Sequence, residues 1–322
     1  MWEQVDIKRE GEHMTLTLTN TYSLQTTSKT ITDELLNEYR QQIDNSDATV
    51  KTYMACVKKF VSWLEENEIN NVEYDTIVIY KRHLGETMKA KAINTHLTAI
   101  KDLFKFLERK GVKNVAKNVK KEKVSNDFVR DSLTTEQVQT ILNSIDTSTE
   151  QGARAYAMFR LMVQTGLREC EIVRADISDI KTKGNNTVLY IQGKGENTKN
   201  NYVVLYPSVI NALQNYFIKR NAKAGEPLFI STSNHNANGR LTTRTVQRIV
   251  KGLYADNGIV SENITTHSTR HTAVTLSILN GADITQAQAM ARHKNINTTM
   301  IYFHNLNRLE DNAESKLEQL CN

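Results

Sequence analysis

Apolar residues recur at helical spacing along most of this chain, and strand-like alternation is confined to short stretches. The segment 49–69 carries them at Val50, Tyr53, Val57, Phe60, Val61 and Leu64. The segment 91–111 carries them at Ile93, Leu97, Ile100, Phe104 and Leu107. This spacing predicts about four or five helices between residues 30 and 112, ending where Gly111 offers a helix C-cap. Such a run of helices is typical of a small all-α domain.

The second half combines helices with one hairpin. Thr134 and Gln137 have the spacing of a capping box before an apolar helical run, and Gly166 follows a predicted helix over 153–165. The runs 187–192 and 201–206 are rich in β-branched and aromatic residues and are joined by a glycine-bearing loop. The sequence therefore predicts a mainly α fold with a small antiparallel β-sheet.

Positive charge is concentrated in one stretch. The chain has 322 residues and a formal net charge of +5. Residues 101–130 hold ten basic and four acidic residues, so the remainder is close to neutral. Such a stretch is either a solvated linker or a basic strap that follows phosphate groups. We expect an arm over 1–28, a helical domain over 29–114, a basic linker over 115–130 and a second domain over 131–322.

Several protein classes are excluded by composition. No run of 18 apolar residues exists to span a membrane, and the N-terminus lacks a secretory signal pattern. Cys56, Cys170 and Cys321 are odd in number and far apart, which argues against a disulfide framework and a cysteine zinc site. We expect a cytoplasmic protein.

Four clusters in the second half contain residues suited to phosphate or proton-transfer chemistry. They are TGLRECEI with Arg168 and Glu171, GKG with Lys194, HSTRH with His267, Arg270 and His271, and ARHKNINTTMIYFH with His293, Tyr302 and His304. Each cluster alone is a weak signal, because a single arginine or lysine is usually a surface residue.

A metal site is the competing interpretation of one cluster. His267 and His271 are spaced i, i+4 and could share a metal ion on a helix. However, Ser268 stands where a metalloprotease motif has glutamate, and Arg270 would oppose a bound cation. We therefore expect no metal site and no cofactor.

The order of these residue types resembles the tyrosine recombinases, which include phage integrases and the Xer recombinases. An arginine is followed by a hairpin lysine, His-x-x-Arg, a further histidine, and a tyrosine nine residues later. The segments TGLRECEIVRADISDI, LTTRTVQRIVKGLYADNGI and KAINTHLTAIKDLFKFL are similar to the family's conserved regions. The likeness extends from about residue 30 to 310.

The resemblance implies a two-domain DNA clamp, with a helical core-binding (SAM-like) domain and an α+β catalytic domain. It implies that Tyr302 is the nucleophile, and that Arg168 and Arg270 hold the scissile phosphate. Lys194 would be the general acid, and His267 would assist proton transfer. His293 would hydrogen-bond the phosphate, and Glu171 would support Arg168.

Two positions depart from the family's pattern. Arg292 stands where the family usually has glycine, and Thr269 stands where it often has leucine. Arg292 is either an additional phosphate contact or a helix cap. Neither change removes a catalytic group.

These residue types suit metal-free cleavage of a phosphodiester. Two guanidinium groups offer planar donors to the non-bridging oxygens and stabilise the charge of the transition state. A tyrosine hydroxyl, with an ordinary pKa of about 10, needs activation, and the leaving 5′ oxygen needs a proton. A 3′-phosphotyrosine product would conserve the bond energy, so ATP is not required. The sequence also lacks a Walker-type loop.

The resemblance further implies DNA contacts and assembly. The expected contacts are Lys51, Thr52, Lys91, Asn94, Lys117, Lys120, Lys121, Lys123 and Arg244. The amphipathic tail 309–320 either exchanges between subunits of a tetramer on double-stranded DNA or packs on its own domain. An accessory DNA-bending or directionality factor is a further expected partner, and a membrane is not.

Three alternatives remain beside an integrase of a mobile element. An Xer-type enzyme would resolve chromosome or plasmid dimers. A type IB topoisomerase would use the same constellation as a monomer. A DNA-binding regulator would keep the fold without the chemistry, although every expected catalytic residue type is present.

Overall fold

The computed structural model describes residues 5–10, 13–18, 29–31, 33–69, 72–124, 131–193, 195–233 and 236–302. The chain divides into two compact units, Met1–Asn126 and Asp127–Asn322. Each unit has its own hydrophobic core, so each is described by itself.

The first unit begins with a three-stranded antiparallel sheet. Its strands are β1 (Val5–Glu10), β2 (His13–Leu18) and β3 (Lys29–Ile31), with β2 in the middle. The alternation of Met14, Leu16 and Leu18 with threonines permits one short strand within the arm that we expect over residues 1–28, and the structure has a strand there, β2, with a partner on each side. The reason is that an isolated strand leaves backbone N–H and C=O groups unpaired, and two neighbours satisfy both of its edges.

Helices form the rest of the first unit. They are α1 (Asp33–Gln42), α2 (Asp47–Glu66), α3 (Tyr74–Gly85) and α4 (Ala90–Arg109). The apolar faces of α2 and α4 supply much of the core, and Tyr80 of α3 packs its ring 4.9 Å from Phe60 and 5.0 Å from Trp63. The helical spacing in the sequence is thus realised as a buried face on each long helix.

The first part of the basic stretch packs against the helical core. We call residues 115–124 the strap. Ala116 and Val119 are buried in the core. Asn94 of α4 donates to the Glu122 carbonyl at 2.9 Å and accepts from the Glu122 N–H at 2.7 Å. Lys81 of α3 donates to the Lys120 carbonyl at 2.9 Å. The strap backbone is therefore held at several points on α3 and α4.

The second unit is helical around a small sheet. Its elements are α5 (Thr135–Ser144), α6 (Glu150–Thr165), α7 (Glu169–Arg174), a 3-10 turn (Ile177–Asp179), β4 (Ile180–Lys183), β5 (Asn186–Ile191), β6 (Asn201–Leu205), α8 (Pro207–Lys219), α9 (Thr243–Asp256), α10 (His267–Leu279) and α11 (Ile284–Ala291). A helical segment follows over 297–302. The sheet order is β4-β5-β6, all antiparallel.

Local sequence signals account for two of the boundaries that position the site. The predicted capping box is present, since the Gln137 N–H donates to Thr134 Oγ1 at 3.2 Å and the Thr134 N–H donates to Gln137 Oε1 at 2.9 Å. Helix α6 ends at Gly166, whose φ of 61° lies in the left-handed region that favours glycine. This turn directs the chain from α6 into α7, which carries the first predicted catalytic residue.

No helix in the described ranges combines the length and apolar character that crossing a membrane requires.

Candidate active site

Arg168 and Glu171 lie at the start of α7. Arg168 is the N-cap residue of this helix, and its backbone N–H donates to Glu171 Oε2 at 2.8 Å. Its side chain donates from Nη1 to Glu171 Oε1, also at 2.8 Å. Glu171 is only 1% exposed. A buried carboxylate with two bonds to one arginine restrains the position of that guanidinium.

Arg270, on the first turns of α10, is also deeply buried, with 2% exposure. Its Nη1 donates to the Gly166 carbonyl at 2.6 Å, and its Nη2 donates to the Ala291 carbonyl. Burial lowers the pKa of Arg270, and the charges of Arg168 and Arg292 lower it further. A buried cation among other cations is an environment that a bound anion would stabilise.

Arg292 occupies the turn after α11, where the family usually has glycine. Its φ of 53° is in the left-handed region, so it caps the helix in the conformation that glycine adopts more readily. Its Nη2 donates to Glu171 Oε2 at 3.0 Å. Burial lowers the pKa of its guanidinium. Glu171 is thus shared between Arg292 and Arg168.

His293 follows Arg292 directly and is half-buried. Its Nδ1 lies 2.8 Å from Thr299 Oγ1, which fixes the ring. Burial and the positive charges of Arg270, Arg168, Arg292 and His267 lower the pKa of His293 to about 4. The imidazole is therefore neutral at physiological pH.

Tyr302 lies in the helical segment 297–302 and is 5% exposed. Its hydroxyl is hydrogen-bonded to His271 Nδ1. The ring of His293 lies 6.3 Å away and nearly parallel, at 19°. His267, at the start of α10, packs its ring 4.9 Å from that of His271. The predicted nucleophile is thus placed among three histidines.

The hairpin loop contains two lysines, and the structure distinguishes them. Lys194 lies outside the described residues. Lys199 pairs with Asp176 at 2.6 Å and with Asp179 at 2.5 Å. Burial alone would lower the pKa of Lys199, but its hydrogen bonds to the two carboxylates raise it. Lys199 is therefore a charged anchor for one end of the loop.

Some of these residues line a cleft of about 810 Å³, whereas Arg270 and Tyr302 are not among its lining residues. Its walls come from α7, the hairpin loop and α11, and they include Arg168, Glu171, Gly193, Arg292, His293 and Lys294. Among the residues that the structure describes, no group of His, Cys, Asp or Glu is arranged to hold a metal ion.

The predicted DNA contacts divide between the units. Lys51 and Thr52 on α2 and Lys91 on α4 are exposed, and Arg244 is exposed on α9 of the second unit. In the strap, the four predicted lysines Lys117, Lys120, Lys121 and Lys123 are all exposed. Asn94 differs from the others because its amide is hydrogen-bonded to the strap backbone.

Two contributions to the site were not predicted from the sequence. The sequence indicates His271 only as a candidate metal ligand with His267, because its contact with Tyr302 joins residues 31 positions apart. Its position directly after Arg270 was the available signal. Arg292 was recognised as unusual, but its link to Glu171 spans 121 positions, which no local pattern indicates.

The comparisons with known proteins assign the family. The second unit matches the Phage integrase family over residues 131–308, and the first matches the phage integrase N-terminal SAM-like domain over residues 32–111. Tyrosine recombinase XerD of Listeria monocytogenes is 27% identical over 267 residues, covering 80% of this chain and 87% of that protein. XerD of Staphylococcus epidermidis is 26% identical over 284 residues, covering 85% and 94%.

Solved structures show the same fold. The XerH site-specific recombinase bound to a palindromic difH substrate has a TM-score of 0.70 at 20% identity, covering 89% of this chain and 84% of that one. The Tn1549 transposon integrase in complex with transposon right end DNA has a TM-score of 0.66 at 18% identity, covering 90% and 99%. With the family match across most of the second unit, these findings show that the chain belongs to the phage integrase family and is a site-specific tyrosine recombinase.

Proposed function

We propose that this recombinase cuts and rejoins double-stranded DNA through a 3′-phosphotyrosine formed on Tyr302. The observation that carries the proposal is the grouping of Arg168, Arg270 and His293 with a buried tyrosine in one unit. His293 stacks near the Tyr302 ring and its pKa is lowered by both arginines, so the four groups share one electrostatic environment. Two cations beside a tyrosine hydroxyl are the elements that phosphoryl transfer to tyrosine requires.

In the proposed cleavage step, Tyr302 Oη attacks the phosphorus while Arg168 and Arg270 bind the non-bridging oxygens. The Oη–P bond forms and the P–O5′ bond breaks. The phenolic proton passes to His271, which contacts the hydroxyl, and His267 supports that ring. Lys194 gives a proton to the 5′ oxygen. Attack by a 5′ hydroxyl from another strand reverses each transfer and rejoins the DNA.

Neither a metal ion nor ATP enters this scheme. The arginines supply the charge stabilisation that a divalent cation supplies in other phosphoryl-transfer sites. The phosphotyrosine bond conserves the energy of the broken linkage.

The exposed lysines of the strap support DNA as the partner. Cations on one exposed segment suit the phosphates of a duplex, where each neutralised phosphate releases counterions. The XerH and Tn1549 proteins were solved on their DNA sites. We propose that the predicted contacts on α2, α4 and α9 also bind DNA.

The biological role that we propose is integration and excision of a mobile element. Arg292 departs from the Xer pattern, which favours this role. A second candidate is Xer-type dimer resolution, which the XerD relatives favour. Sequencing the DNA covalently attached to the protein in its host would separate them, since a mobile element's ends and a chromosomal dimer-resolution site differ in position.

We also propose a cytoplasmic homotetramer on DNA that exchanges the tail 309–320 and uses an accessory factor. The tail lies outside the described residues, so its amphipathic pattern alone supports the exchange. Sedimentation of the protein with and without its site, with the tail intact or truncated, would test the assembly.

The central test is trapping of the covalent intermediate on a nicked suicide substrate. The wild type is expected to form a protein–DNA adduct, and Tyr302→Phe is expected to form none because it lacks the attacking oxygen. His271→Gln is expected to form the same adduct about 100-fold more slowly, the usual loss for a proton-transfer group.

The control is a binding assay on the same substrate, in which all three proteins are expected to bind alike. Wild type that binds the site without forming an adduct would exclude the proposed chemistry. An adduct from Tyr302→Phe would place the nucleophile elsewhere. Unchanged cleavage by His271→Gln would remove His271 from the mechanism.

A further inference from the structure

Arg292 has all its Nη hydrogen bonds committed to the protein. Its Nη1 donates to Met290 O at 2.6 Å and to Thr165 O at 3.4 Å. Its Nη2 donates to Gly166 O at 3.3 Å and to Glu171 Oε2 at 3.0 Å. Its Nε is buried. A direct phosphate contact would therefore require these bonds to break, which argues against that interpretation.

A helix cap alone does not explain this residue either. Capping α11 requires only the left-handed backbone, which glycine adopts without the steric cost of a Cβ atom. The Arg292 side chain instead extends back to the end of α6 and to Glu171, and only 10% of it is exposed. The strained backbone is retained at a position where the side chain makes specific distant contacts.

The carboxylate of Glu171 transmits this contact to the catalytic arginine. Its Oε1 accepts from Arg168 Nη1, while its Oε2 accepts from the Arg168 backbone N–H and from Arg292 Nη2. Without Arg292, the buried carboxylate would keep its two bonds to Arg168 but lose its third bond, which is its tie to the end of α11. The Arg168 guanidinium would then be held less rigidly.

We propose that Arg292 is a positioning residue of the cleavage reaction, which orients Arg168 through the shared carboxylate of Glu171 and ties the end of α11 to the end of α6. This inference rests on the proposed function of Arg168. Its consequence is that restoring the glycine typical of the family would impair this enzyme, even though glycine suits the backbone better.

The experiment compares Arg292→Gly, Arg292→Lys and wild type in single-turnover adduct formation at saturating DNA. We expect Arg292→Gly to cleave about 100-fold more slowly, as when one donor to a transition state is misplaced, with DNA affinity within about threefold of wild type. Arg292→Lys retains a charge but loses the fork geometry, so an intermediate rate is expected.

Arg220 offers a matched control. It is also a helix C-cap arginine, at the end of α8, and pairs with Glu226 at 2.7 Å and with the Pro227 carbonyl at 2.9 Å. Arg220→Gly is expected to lower the melting temperature without changing the cleavage rate of the folded protein. Because Glu171 transmits the effect, Glu171→Gln combined with Arg292→Gly should be no slower than the slower single variant, within about threefold.

Three outcomes would overturn the inference. They are cleavage by Arg292→Gly within about threefold of wild type, an equal loss of rate in Arg220→Gly, or fully additive losses in the double variant. If Arg292→Gly does not fold, the same comparison is made with Arg292→Lys. Absence of an adduct from wild type would instead overturn the proposed function, so the two failures are distinguishable.

Discussion

Positive charge is arranged in opposite ways in the two units. The strap of the first unit exposes Lys117, Lys120, Lys121 and Lys123 to solvent. The second unit buries two cations of its arginine cluster, with Arg270 2% exposed and the Arg292 side chain 10% exposed. Exposed charges are screened by salt and contribute little individually. The buried guanidinium groups are fixed by hydrogen bonds, so a neighbouring cation cannot take the place of any one of them.

The structure holds these two kinds of cation differently. In the strap, it is the backbone that is held, through Asn94 and Lys81, and the lysine side chains remain exposed. In the second unit, the guanidinium groups themselves are hydrogen-bonded. One carboxylate, Glu171, is bonded to two of them. The strap is therefore suited to sequence-independent attraction of phosphates, and the arginine cluster to orienting a single one.

The largest expected effect concerns Arg270. Arg270→Lys keeps the positive charge. However, its single ammonium group cannot donate to the Gly166 and Ala291 carbonyls and also to a phosphate in the geometry of the guanidinium. We expect adduct formation to fall by about 10³ to 10⁵, the range for arginines that stabilise phosphoryl-transfer transition states. Single-turnover cleavage at saturating DNA measures it.

The control for Arg270→Lys is Arg154→Lys. Arg154 is also buried, and it donates to the Ile230 carbonyl at 2.9 Å from the first turns of α6, whereas Arg270 contacts Gly166 at the other end of that helix. This variant is expected to lose stability while keeping the cleavage rate. Comparable losses of rate in the two variants would show that burial of any arginine matters here, and not the position of Arg270.

Local patterns in the sequence predicted the elements, and distant contacts completed the site. The capping box at Thr134 and the turn at Gly166 depend on neighbours within a few residues, so the local sequence predicts both of them. Arg270 reaches Gly166 across 104 positions and Arg292 reaches Glu171 across 121. Such pairings follow from the packing of α6, α10 and α11, which periodicity does not specify.

The strap is a second case in which the sequence does not specify packing. Its charge predicts a basic linker over 115–130, but charge does not indicate that residues 115–124 pack against the helical core. Ala116 and Val119 are two small apolar residues in a polar stretch, and their burial depends on the shape of the core formed by α2 to α4. A resemblance to a family was needed to assign roles to Arg168, Arg270 and Tyr302, because each cluster alone was weak.

An intermediate effect is expected from neutralising the strap. Replacing Lys117, Lys120, Lys121 and Lys123 with glutamine should lower the salt slope of DNA binding by about 1 for each lysine that contacts a phosphate. Cleavage at saturating DNA should stay near the wild-type rate, because these side chains are exposed and lie in the first unit. Binding titrations at several salt concentrations measure the slope.

Asn94→Ala sharpens this test, because it keeps all four lysines and removes the two hydrogen bonds to the strap backbone. We expect a weaker affinity for DNA with nearly the same salt slope. The number of lysine charges is unchanged, and only the fixed position of the strap backbone is lost. A slope that does not change when the four lysines are neutralised would show that the strap does not bind phosphates.

The smallest expected effect is a pH dependence that the buried cations impose on His293. The pKa of His293 lies at about 4 in the folded protein and 6.5 is its ordinary value. The groups that face it are Arg168, Arg270, Arg292, His267 and Tyr302. Between these two pH values the unfolded chain binds a proton that the folded chain does not, so the free energy of unfolding falls as the pH is lowered through this window.

His293→Asn removes this titration, so its loss of stability from pH 7 to pH 4.5 is expected to be smaller than that of wild type in urea unfolding. His83→Asn is the control, because His83 is exposed and its partner is Glu86 at 3.5 Å. It should follow the wild-type curve. Parallel curves for His293→Asn and wild type would mean that the arginine cluster does not govern the charge of its histidine. The distinction between buried and exposed cations would then hold for hydrogen bonding alone. If burial leaves the electrostatic field of the cluster unscreened, that field must lower the pKa of His293, so a histidine that does not respond would contradict it.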